Sequence, residues 1–149
     1  MNKVTITLVI SLSFMVCKGQ EIICIGSRIE QNIAGTSKIL IPSGALVNSI
    51  EYTHNNHIFT AGIRDDKSVI YISTVDPNFE IDGFKTNDEI FKIYESSQVE
   101  CVLGWGYYIK IDSEWYAGFE INAKPTKFSK IKWLFKYTFI NGNKNLFKK

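Results

Sequence analysis

The chain has 149 residues, 45% hydrophobic and 13% aromatic, enough for one packed domain and too apolar for intrinsic disorder. Its formal charge of +2 comes from 17 basic and 15 acidic residues, so Lys3 and Lys18 near the start carry the whole excess. A balanced remainder gives no reason to expect nucleic acid as a partner.

Met1 to Gly19 reads as an export signal: Lys3 is the positive start, Val4 to Cys17 the apolar run, and Cys17 and Gly19 the small residues before cleavage. Residues 20–149 then form a single secreted domain, periplasmic or extracellular. The apolar run is shorter than the about 20 residues of a spanning helix, and Thr5, Thr7, Ser11 and Ser13 interrupt it, so no transmembrane segment is expected. Lipidation of Cys17 is the second choice, since bulky Phe14, Met15 and Val16 precede it where small residues are wanted. With Cys17 removed, Cys24 and Cys101 remain, and an oxidising compartment makes a disulfide between them the simplest expectation. The alternative is two buried cysteines that never meet.

Glu21 to Gly26 is a short apolar strand, followed by a capping box at Ser27–Glu30 that opens a helical turn or two closed by Gly35. Lys38 to Ile41 and Leu46 to Thr53 are extended, and the latter meets His57 to Ile63 across the two-residue turn Asn55–Asn56. Val69 to Thr74 is β-branched and aromatic. A second capping box, Thr86–Glu89, with Ile90, Phe91, Ile93 and Tyr94 behind it, predicts a short helix. Val99–Leu103, Trp105–Ile111 and Trp115–Ile121 alternate as a three-strand meander, and Ile131, Trp133, Phe135, Tyr137 and Phe139 share one face of a last strand. The expected fold is α+β: a mainly antiparallel sheet of about seven strands with two short helices. From Thr86 to Phe119 the order of capped helix and aromatic strands resembles small periplasmic proteins of the outer-membrane assembly lipoprotein and β-lactamase inhibitor-like group. That resemblance implies protein binding without catalysis.

Asn78, Glu80, Asp82 and Glu89, with Gly83 between, are spaced somewhat like the oxygen ligands of a calcium loop. Asn78 stands in for the usual first aspartate, Lys85 fills an aliphatic slot, and a strand precedes the loop, so an acidic turn before a helix is the simpler reading. His54 and His57 flank one turn and face each other, but a zinc site needs three or four protein ligands. No nucleophile elbow, phosphate-binding glycine loop or dinucleotide fingerprint is present, so no catalytic residue and no cofactor is assigned.

Surface candidates remain. Alternation puts Trp105, Tyr107, Trp115 and Phe119 on the core face and leaves Tyr108 and Tyr116 opposite, as candidate contact residues. Lys130, Lys132 and Lys136 form a stripe that suits an anionic partner, or the solvent face of an edge strand paired with acids. The charge layout allows both, since residues 20–123 hold seven basic and fifteen acidic residues and residues 124–149 hold eight lysines and no acid. The chain reads as an exported, non-catalytic binding domain for a protein or other macromolecule. The alternative is a secreted hydrolase or metal-dependent enzyme using acids in Asp76–Glu89 with His54 or His57.

Overall fold

A computed structural model describes residues 23–29, 37–91, 93–94, 98–112 and 114–138. The export signal, Cys17, Phe139 and the end of the first expected helix, including Glu30 and Gly35, lie outside them.

Alternating apolar and polar residues make eight strands: β1 Ser37–Leu40, β2 Leu46–His54, β3 His57–Ile63, β4 Val69–Thr74, β5 Glu100–Val102, β6 Gly106–Lys110, β7 Trp115–Phe119 and β8 Trp133–Tyr137. All belong to one antiparallel sheet in the order β1-β2-β3-β4-β8-β7-β6-β5. Asn55 and Asn56, at φ 50° and 65°, close the β2–β3 hairpin with the twist that two-residue turns require. The Trp105 indole N–H donates to the Leu40 carbonyl at 2.9 Å, tying the β5–β6 turn to the far edge strand β1. The sheet is thereby curled into a half-barrel.

Both faces of this sheet are buried. On the inner face Phe135, Tyr71, Tyr108, Val102 and Ile41 form one core, with Trp105, Tyr116 and Trp133 against it. On the outer face Phe59, Ile72, Ile109, Trp115 and Leu134 form the other, covered by Ile29, Phe84 and Ile90 from flanking segments. β4 is therefore buried at every position, and a bulge opposite Gly62/Ile63 leaves Ile70 as the extra residue, so that adjacent Ile70 and Tyr71 both join the inner core while Val69 and Ile72 join the outer one.

Several expectations are corrected. The fold is not α+β, because the described residues contain strands, turns and isolated bridges but no α-helix. In the second capping-box segment, Asn87 has φ 71°, its N–H donates to Ile131 at 2.7 Å, and Ile131 donates back to Asp88 at 2.9 Å. Glu89 forms a bridge with Lys130, and the helical spacing survives only as one turn, Ile93 N–H to Ile90 C=O at 3.0 Å. Thr86 does not cap; its hydroxyl donates to Val75 C=O at 3.3 Å. The resemblance built on that helix falls with it. At the first capping box, Arg28 bridges Ser68 and Ile29 N–H donates to Lys67, so residues 27–29 run extended. Finally, β8 is not an edge strand: it is inserted between β4 and β7.

Candidate functional site

The hairpin register places Tyr52 opposite Phe59 and His54 opposite His57 on the outer face. Tyr52 and Phe59 stack with centroids 5.5 Å apart, Phe79 meets Phe59 edge-on at 5.1 Å, and Trp115 follows at 5.1 Å from Phe79. These rings floor a half-open cleft of about 470 Å³ that crosses β2, β3, β4, β8 and β7. Its polar lining includes His54, Glu114, Lys136 and Cys24. Lys136 pairs with Glu114 and holds its ammonium 5.0 Å above the Trp115 ring, so its charge is partly neutralised at the rim. Burial, with the Cys24 thiol nearby, pushes the Tyr52 phenol up to about 12, which keeps it a neutral hydrogen-bond donor. The site thus combines aromatic area with a few polar groups that can orient a ligand.

Phe79 enters from a loop fixed by side-chain hydrogen bonds. Thr74 Oγ1 donates to Ile58 C=O at 2.7 Å and accepts from Asp76 N–H at 3.0 Å. Asp76 accepts from Asn78 N–H at 2.8 Å and faces His57 Nδ1 at 3.1 Å, while the His57 ring meets Phe79 edge-on at 5.5 Å. The Asn78 amide first, and His57 after it, hold the Asp76 carboxyl below the usual carboxylate range. A carboxylate stabilised in the folded state contributes above its unfolded pKa, and the contribution is lost as pH falls through the lowered folded value. The melting temperature is expected to drop on acidification below about pH 4, and Asp76→Asn to make that drop shallower; thermal melts from neutral to acid pH check it.

The residues singled out from sequence are dispersed. Tyr108 is 5% exposed, its hydroxyl donates to Glu100 at 2.6 Å, and burial first, then Glu100, raises its pKa. Tyr116 stacks on Phe135 at 5.2 Å and is partly buried against the inner core, to which Tyr108 belongs, and Tyr116 also contributes to the lining of the cleft. Lys132 lies 3.8 Å from Glu120, Lys136 lies in the cleft, and Lys130 is exposed beside the Glu89 bridge. Of the calcium-like set, Asn78 is bound to Asp76, Glu80 pairs with Lys85 at 3.2 Å, Asp82 occupies a turn at φ 49° and Glu89 sits in the bridge to Lys130. Among the described residues no three His, Cys, Asp or Glu stand together as metal ligands. Cys24 and Cys101 are both exposed free thiols; Cys24 lines the cleft beside β2, whereas Cys101 is on the opposite edge strand β5. Among the described residues no helix is long and apolar enough to cross a membrane.

Tyr52, Phe59, Phe79 and Trp115 were not singled out as a site by the sequence. The Asn55–Asn56 turn, which sets Tyr52 against Phe59, was the one available signal. No protein-family model and no curated protein matches this chain. Among solved structures it is similar to the uncharacterized protein YfeY from Escherichia coli, at 14% identity and a TM-score of 0.42, over 61% of this chain and 80% of that one.

Proposed function

We propose that the chain is an exported, non-catalytic binding domain whose outer-face cleft takes an apolar or aromatic side chain of a protein partner. The observation that carries this reading is the run of contacting rings Tyr52, Phe59, Phe79 and Trp115 flooring a cleft that is open at its rim. Aromatic area of this kind supplies most of the energy at protein interfaces, and His54, Glu114 and Lys136 give the partner polar groups to align on. Selection of displayed random peptides on the purified protein tests it. Selected peptides should share an apolar or aromatic anchor, and Phe79→Ala should weaken them about tenfold or more without abolishing folding. Binding indifferent to Phe79→Ala would remove the cleft as the site.

A second reading rests on His57, oriented by Asp76 at 3.1 Å as a base is oriented in hydrolases. It predicts hydrolysis of simple chromogenic esters that disappears in His57→Gln while peptide binding persists. Equal background rates for the two proteins would dispose of it.

A further inference from the structure

The connection between β7 and β8 does not contribute to the cleft's lining, and its chemistry differs from that of the rest of the surface. From Ile121 to Ile131 the chain carries Lys124, Lys127 and Lys130 and no acidic residue. Phe128, in the middle of this segment, is 65% exposed, and Ile121 is exposed as well. The Ile90 amide donates to Ser129 C=O at 3.3 Å, which brings the 58%-exposed Phe91 alongside. Large apolar side chains standing in water beside a group of cations are the composition of an interfacial anchor.

The local geometry suits the same role. Pro125 is buried and roots the loop, and residues 126–129 close a turn on themselves: Ser129 N–H donates to Thr126 C=O at 2.9 Å, and Thr126 N–H to Ser129 Oγ at 2.8 Å. The Phe128 amide donates to Thr126 Oγ1 at 3.4 Å. Lys127 and Phe128 therefore occupy the corner of a turn that three internal hydrogen bonds hold in shape, and this pre-set geometry lowers the entropy lost on docking. The Lys127 ammonium lies 5.0 Å from the Phe128 ring, so charge and ring project together. Glu89, bridged to Lys130 through the backbone, offsets at most one of the three positive charges.

We propose that this turn docks on an anionic lipid surface, with Phe128 inserted among the headgroups and Lys124 and Lys127 against lipid phosphates. A protruding corner fits a yielding lipid surface better than it fits a protein, which would need a matching pocket. Each lysine near such a surface is worth about 1 kcal/mol, or roughly fivefold in affinity.

Sedimentation with vesicles tests this, using phosphatidylcholine alone and phosphatidylcholine mixed with phosphatidylglycerol in about equal parts. The purified protein should pellet with the mixed vesicles, far less with the neutral ones, and should be released by salt. Lys124→Gln with Lys127→Gln should weaken partitioning about 30-fold, and Phe128→Ser about tenfold, with unchanged melting temperatures. Equal partitioning on neutral vesicles, no partitioning on either, or unaltered binding by both variants would each overturn the proposal. So would capture of an acidic protein through this turn in the absence of vesicle binding.

Discussion

Replacing Phe135 with alanine is expected to destabilise the protein by about 3–5 kcal/mol, lowering the melting temperature by on the order of 10 °C or more. Phe135 is fully buried and is the hub of the inner face, with ring centroids 4.9 Å from Trp105, 5.2 Å from Tyr116, 5.8 Å from Tyr71 and 6.0 Å from Tyr108. Its strand, β8, is also the only pairing between β1–β4 and β5–β7 in the sheet order. An alanine there opens a cavity where the two halves of the sheet meet, and the four surrounding rings cannot all move to refill it. Phe128→Ala removes the same side chain from an exposed turn and should change stability by less than about 0.5 kcal/mol. Urea unfolding of the two variants beside the parent checks both numbers. A cost below about 1 kcal/mol at Phe135 would mean that the inner face is open rather than packed.

The position of Phe135 also shows where sequence reading loses its power. In β2, β3 and β4 the period of two and the Asn55–Asn56 turn specify strand limits and register, and the structure reproduces His57–Ile63 and Val69–Thr74 to the residue. Alternation sorts residues only while one face is wet, however. β8 is covered on both sides: Trp133, Phe135 and Tyr137 join the inner core, whereas Ile131 and Leu134 join the outer one. The single apolar face read for this strand therefore divides between two cores. Alternation leaves Tyr108 and Tyr116 opposite the first core, as surface residues, but a second core buries Tyr108 and partly covers Tyr116. Trp105 changes sides for a local reason. It sits between Gly104 and Gly106, both at positive φ, and that turn carries its indole to Leu40.

The helices fail differently. Both capping boxes are local signals, and each segment's amides instead bond to distant chain, Ile29 to Lys67 and Asn87 to Ile131. In both segments long-range backbone pairing overrides local helix propensity. The cleft was legible only in part. Tyr52 and Phe59 follow from the hairpin register, but Phe79 comes from a loop, and its anchor joins His57 to Asp76 across 19 residues of sequence with no periodic signal. Lys132 and Lys136, by contrast, meet Glu120 and Glu114, in keeping with the charge asymmetry between front and back of the chain.

Gly118 offers a test in which the sign of the effect carries the argument. It lies in β7 opposite Trp133, and the Lys132 amide donates to its carbonyl at 3.0 Å. Its φ is not in the left-handed region, so on conformational grounds alone alanine should stabilise the strand by about 0.4–1 kcal/mol. A Cβ at this position, however, would fall within the Trp133 indole, on Cε2, Nε1 and Cδ2. The indole cannot simply withdraw, because Trp105 stands edge-on against it at 5.4 Å. Gly118→Ala is therefore expected to destabilise by about 2–3 kcal/mol, the reverse of the backbone effect. Trp133→Leu will also cost stability, through lost burial, but the double variant should be less stable than the parent by clearly less than the two single losses added together. A coupling of about 1–2 kcal/mol in that cycle would show that the glycine is there to make room for the indole; simple additivity would show that it is not.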